Sequence, residues 1–301
     1  MERTERIGIA AGLASSAIGG MAAAVTRFAV ATIDPVLVSA FRFGIGCLLL
    51  LLLALATCVR WPRASDLAAT IALGAMFYGV FFVAYARALT LTTAARGSLG
   101  VAVLPVLTML VAAALRRERL TSRKTAGVLV ALGGVAISLA TDLRNAPVGA
   151  WKGDAMMIAA MLSMSLYTIY SRPLMARSSA LGYAAVGMAA GATLNLMVAL
   201  AGSGWTDVRT MESSQWAAAL FLGVMPGAIG FFLWVYAVER TTPTRVAATI
   251  TVSPIFAGAL AALLVAEPFG FGLALGAIAV GAGIWIASTE TQAAKTIRQR
   301  G

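Results

Sequence analysis

Tyr78, Phe82 and Tyr85 stand at i, i+4 and i+7 of one apolar stretch, so a helix puts them on one face, with Phe81 at its border. A buried tyrosine offers a ring to stack on and a hydroxyl that needs a partner. That combination suits a wall that binds an apolar or aromatic solute. The same residue types also mark bilayer interfaces or face lipid, a placement that suits Tyr85 near its helix end. Arg42 lies about seven residues, roughly 10 Å, inside another apolar run. Burying that charge costs several kcal/mol unless it pairs or reaches out. It either holds a solute carboxylate or gates the outer mouth, or it snorkels outward to Asp34 and the headgroups. Snorkelling is the less costly arrangement and the expected one. Ser163 and Tyr167, one helical turn apart, either offer hydroxyls to a solute or pack between helices.

Recognition is the only chemistry these residues support. The chain has no histidine, and Glu118, Glu239 and Glu267 fall at the ends of apolar runs, with Asp34, Asp66 and Asp154 flanking them. No nucleophile has a base beside it, so no enzyme is expected. No metal or other cofactor is implied, and the usual proton-relay groups are missing from the middle of every run. Cys47 and Cys58 would lie about 16 Å apart along a helix, too far for a disulfide.

Hydrophobic residues make up 60% of the 301 and charged residues 12%, so the elements that position these groups must be membrane spans. Ten are expected, at about 7–30, 35–57, 66–89, 94–115, 124–140, 152–171, 181–201, 215–237, 245–266 and 270–288. The partners implied are lipid and a small-molecule substrate. The net charge of +11 sits in short connections, which argues for topology and anionic headgroups and against nucleic acid.

The chain is also written twice. Sliding it by 149 positions lays Gly74 on Gly223, Thr92-Thr93 on Thr241-Thr242, Arg96 on Arg245, Pro105 on Pro254, Glu118 on Glu267 and Gly134 on Gly283. Earlier in each half the shift is 145, and Arg27 meets Arg172. The ring face of the third span then has Gly227, Phe231 and Trp234 as its counterpart in the eighth. Five spans per copy is an odd number, so the second copy is inverted. The expected units are 1–145 and 146–301. Glu118 is ringed by Arg116, Arg117, Arg119, Arg123 and Lys124, whereas Glu267 has no basic neighbour. The positive-inside rule explains the difference: the first connection is cytoplasmic, the second is outside, and both termini are inside. Pro105 and Pro254 each remove a helix hydrogen bond, and paired interruptions of this kind point to a hinge or to the substrate site.

The doubled threonine turn, the mid-helix "LP" and "SP" (Leu104-Pro105, Ser253-Pro254), the glutamate that ends each of those helices and the glycine-rich helix after it resemble the drug/metabolite transporter superfamily, and within it the ten-helix EamA-type exporters. Arg42 in "FRF" and Arg172 in "SRP" match family positions. Size and aromatic content are similar to those of an aromatic amino-acid exporter in that family. The resemblance covers nearly the whole chain. It implies an all-α basket in two halves around a central solute, opening alternately to either side of a bacterial inner membrane, and export of amphipathic metabolites such as aromatic amino acids. A sugar-phosphate or nucleotide-sugar exchanger of the same superfamily would need more basic residues in the cavity than Arg42. A lipid scramblase would need a polar groove, and these spans are apolar. The small multidrug exporters of the superfamily use a carboxylate in the first helix. Here that helix has none, which favours facilitated export, with coupling through an end-located glutamate left open.

The topology is checked by cysteine labelling of intact cells in a background lacking Cys47 and Cys58. A cysteine at Arg117 should be protected from an impermeant reagent and one at Glu267 should react. The reverse pattern would invert the arrangement.

Overall fold

The computed structural model describes residues 3–116, 121–141, 148–202, 208–240, 249–266 and 271–298, and all of its regular elements there are helical. Glu118, Glu267, Arg117, Thr241, Thr242 and Arg245 lie outside the described residues. Ten rods follow one another. α1 is Arg3–Ala29, α2 Pro35–Ala56, α5 Ser122–Thr141, α6 Ala150–Arg177, α7 Ala180–Ala201 and α10 Phe271–Arg298. α3 is Ala64–Leu91, and α8 runs over 213–240. Both α3 and α8 are α-helix interrupted by a π segment, at Ala75–Phe81 and Gly223–Gly230. α4 consists of Ala94–Ala102 and Leu104–Ala114. α9 opens with the 3-10 turn Ile250–Val252 and continues as Ser253–Leu264.

Among the described residues five stretches, Thr4–Ala29, Pro35–Ala56, Ala64–Leu91, Ala180–Ala201 and Ser213–Trp234, are by themselves long and apolar enough to cross a membrane. α4 and α9 are broken immediately before Pro105 and Pro254, which sit in the first turn of the following piece, where a missing N–H does no harm. α6 is longer than its apolar run. It continues through Pro173 to Arg177, with the proline removing one intrahelical hydrogen bond in its last turns.

The two halves are interleaved. α1 packs on α8 and α9 of the other half, and α6 packs on α3 and α4, so each half lends its first helix to the other. α2 meets α7, and α5 meets α10. Helix starts repeat as well: Asp34 caps α2 by accepting from the Val36 N–H (2.8 Å), and Ser179, at the equivalent position, caps α7 by accepting from Gly182 (3.0 Å). Contacts between connections respect alternate crossings. The α6–α7 turn bonds to the α2–α3 turn (Ser179 N–H to the Arg60 carbonyl, 2.9 Å), and Gln215 at the start of α8 donates to Thr32 after α1 (2.7 Å).

The α5–α10 crossing is self-complementary. A Cβ on Gly134 would stand 2.5 Å from the Ala279 Cβ and 3.1 Å from the Gly276 carbonyl. A Cβ on Gly283 would overlap the Gly127 carbonyl and Ala131. Lipid supplies no hydrophobic force between helices, so backbones this close gain dispersion contacts that larger residues would prevent. Gly134→Leu should therefore destabilise the detergent-solubilised protein by about 1–3 kcal/mol in thermal unfolding. Gly133→Leu, whose Cβ meets nothing within 4 Å, should leave the midpoint unchanged.

Candidate functional site

The π segment of α3 decides which rings point inward. Its i→i+5 bonding widens the turn, so adjacent residues can share the inner face. Phe77 and Tyr78 are 3% and 2% exposed, and Phe81 is buried beside Phe82. A wider turn also leaves carbonyls in need of donors. The Asn195 side chain of α7 donates to the Tyr78 carbonyl (3.0 Å), and the Ser15 hydroxyl of α1 donates to the Gly230 carbonyl at the end of the second π segment (2.8 Å). Each irregular turn is thus satisfied by a side chain from the other half, as a helix in lipid requires.

The rings form one cluster drawn from five helices. Phe77 stacks on Tyr167 of α6 (centroids 4.2 Å, 13°) and on Phe81 (5.2 Å, 14°). Tyr78 meets Phe43 of α2 and Phe231 of α8 edge-on, each at 5.4 Å. Phe82 lies against Phe43 (4.6 Å) and Tyr85 (6.1 Å). Tyr183 of α7 approaches Tyr167 (6.3 Å), and Tyr167 lies between the Tyr78 and Tyr183 hydroxyls, in electrostatic reach of both. The Tyr183 hydroxyl is buried without a partner in strict hydrogen-bond geometry.

Arg42 does not snorkel. It is 7% exposed, with its guanidinium carbon 4.6 Å from the Phe82 ring centroid and 5.3 Å from that of Phe43. Its Nε has no hydrogen-bond partner, and Asp34 is engaged instead in capping α2. Cation–π attraction to the two rings, about 2 kcal/mol, offsets only part of the cost of keeping this charge inside.

The remaining candidates divide. Tyr78, Phe82, Tyr85, Tyr167 and Phe231 come together in or against the main core cluster. Gly227, the counterpart of Tyr78, does not line the ring cluster. A Cβ there would meet the Arg42 carbonyl at 2.9 Å and the Gly46 Cα at 3.4 Å, so it serves the α2–α8 crossing. Trp234 packs in a separate apolar cluster with Leu99, Val103, Val106 and Ile250, beyond the π segment that shifts the register of α8. The Ser163 hydroxyl turns back to the Ala159 carbonyl of its own helix (3.4 Å). Phe43, Phe77 and Tyr183 were not foreseen. The dense "MFYGVFFVAY" held the signal for Phe77, but an α-helical period puts it beside the face, and Phe43 and Tyr183 enter only through contacts between helices.

α6 is tied at both ends to the other half. Near its start Asp154 takes an ion pair from Arg96 and a hydrogen bond from the Thr92 hydroxyl (2.8 Å), while Thr93 caps α4. Near its end Arg177 grips Asp66 of α3 through two hydrogen bonds (2.9 and 2.7 Å). The threonine pair thus has a structural task in this copy.

A family model, the EamA-like transporter family, matches the chain twice, over residues 6–140 and 151–289. The chain is 31% identical over 237 residues to a probable terminal-alkyne amino-acid exporter of Streptantibioticus cattleyicolor, covering 77% of each. It is 26% identical to the uncharacterized transporter YetK of Bacillus subtilis, covering 91% of this chain and 84% of that one. A solved crystal structure 22% identical in sequence superposes with a TM-score of 0.68 over 95% of this chain and 97% of its own, which shows a shared fold.

The two ion pairs should differ in weight. The Arg96 and Asp154 side chains are 6% and 15% exposed, so Asp154→Ala removes a buried acid from beside this cation and should cost about 3 kcal/mol. The Arg177 side chain is 46% exposed, so Asp66→Ala should cost no more than about 1 kcal/mol for the lost pair. Thermal unfolding of both variants checks the order.

Proposed function

This chain belongs to the EamA-like transporter family, and from that premise we propose that it exports amino acids, aromatic ones included, through a central site formed by the ring cluster. It is a multi-pass membrane transporter and not an enzyme. The observation that carries the finer reading is the cluster itself. Rings from α2, α3, α6, α7 and α8, helices of both halves, converge in the interior where lipid-anchoring aromatics would face outward. Tyr78, Tyr167 and Tyr183 add hydroxyls to a mostly apolar wall, the make-up of a site for amphipathic solutes. The relative named for a terminal-alkyne amino acid supports the class, since an alkyne, like an arene, presents a π face to a ring. A single cation among the rings gives a sugar diphosphate too little to bind. The protein works by alternating access in a bacterial inner membrane with both termini cytoplasmic, and moves solute down its gradient.

Uptake of labelled phenylalanine into proteoliposomes tests this. Phe231→Ala, at a partly exposed ring, and Tyr78→Ala should each lower uptake about tenfold, which corresponds to 1.4 kcal/mol of lost ring contact. Wild-type rates in both variants would remove the ring cluster from the pathway.

A further inference from the structure

We infer that Arg42 is the carboxylate-recognising residue of this pathway, so that only solutes with a free carboxylate are carried. The inference rests on the transport reading above and sharpens its substrate class.

The guanidinium has been taken out of water and not given a counter-charge. Arg42 is 7% exposed, its Nε lacks a partner, and no acid pairs with it among the described residues. Its contacts are the faces of Phe82 and Phe43, with the Tyr85 hydroxyl in electrostatic reach. Rings orient a guanidinium but leave its N–H groups free to donate, and a planar fork matches a carboxylate in two parallel bonds. Leaving such a charge uncompensated is costly in the interior of a membrane protein, and an anionic ligand removes the deficit.

Helix packing does not need the arginine. Its position in the second copy is Gly187, and there the chain crosses α3 at Gly74 by direct backbone contact. At the equivalent α2–α8 crossing a Cβ on Gly223 would meet Ile45 and one on Gly227 the Arg42 backbone carbonyl, while the guanidinium lies over Phe82 and Phe43, so neither crossing is built with the cation. The cation is also adjacent to the ring cluster, because Phe82 and Phe43 touch both it and Tyr78 or Phe77. One arginine neutralises one negative charge, which fits a carboxylate better than a phosphate dianion.

The test compares uptake of phenylalanine with uptake of its amide, identical in ring and amine but without the acid, into proteoliposomes. The wild type should prefer the acid at least tenfold. Arg42→Gln should lose at least tenfold in phenylalanine uptake and bring the ratio towards one, and Arg42→Lys should fall between. An unchanged ratio in Arg42→Gln overturns the inference. If Arg42→Gln does not fold, displacement of bound labelled phenylalanine from the wild type by phenylacetate and phenethylamine decides. Equal displacement by both overturns the inference, and displacement by phenylacetate alone supports it. If the wild type carries neither phenylalanine nor its amide, the amino-acid reading falls separately. Thermal shifts with paired carboxylate and amide metabolites and with a sugar phosphate then decide. Stabilisation by the carboxylates alone upholds Arg42's role. Stabilisation by no compound, by the sugar phosphate alone, or by acid and amide alike overturns it.

Discussion

Close approach of backbone to backbone between helices of opposite halves is the constraint from which the rest of this structure follows. At Gly134 and Gly283 on the α5–α10 crossing, at Gly46 and Gly227 between α2 and α8, and at Gly74, Gly187 and Gly191 between α3 and α7, no side chain separates the helices. In lipid, association must come from dispersion and hydrogen bonding, and both fall off within an ångström or two. Helices held this tightly fix where neighbouring side chains go. Phe43 beside the α2 crossing and Tyr78 beside the α3 crossing are thereby set ring against ring. The π turns belong to the same economy of space, since Asn195 and Ser15 reach their freed carbonyls only because the helices are so near.

The repeat supplies the frame, and its exceptions mark the candidate site. Gly46 against Gly227 in one half corresponds to Gly191 against Tyr78 in the other. Arg42 has a glycine, Gly187, as its counterpart, and Tyr167 has an alanine, Ala22. A duplicated scaffold with identical fillings would give a symmetric interior. Here the arginine and most of the rings come from the first sequence half. The same asymmetry appears at the bundle ends. Arg177 with Asp66 is charged, and its equivalent, Thr32 with Gln215, is neutral.

The sequence made the frame legible because duplication and membrane spans are written in long periods: apolar runs, paired prolines and paired glycines survive inspection residue by residue. What it hid is local. A π turn changes the helical period over seven or eight residues, so an α-helical wheel leaves Phe77 off the face and carries Trp234 onto it. The repeat lays Gly227 on Tyr78, but a sequence shows only the missing side chain and not the helix that occupies its place. Snorkelling is the expectation for Arg42 from sequence because the sequence shows its depth and not the two rings, one from another helix, that lie against it.

Interleaving also determines which parts can move together. α6 is bound to the first half at both ends, through Arg96 and Thr92 near Asp154 and through Asp66 near Arg177, and it packs chiefly on α3 and α4. α1 is likewise bound to the second half: Gln215 reaches Thr32 just beyond it, Ser15 bonds to Gly230, and Ser16 shares a hydrogen bond with Thr249 (2.9 Å). Separating the sequence halves would break a buried ion pair and the hydrogen bonds that α1 makes to the second half. Moving α6 with α3 and α4 against α1 with α8 and α9 breaks none of them. The cluster lies where these two groups face each other, with Phe77 and Tyr78 on one side and Phe231 on the other. Rotation of one group against the other would separate ring from ring while each group keeps its own polar bonds.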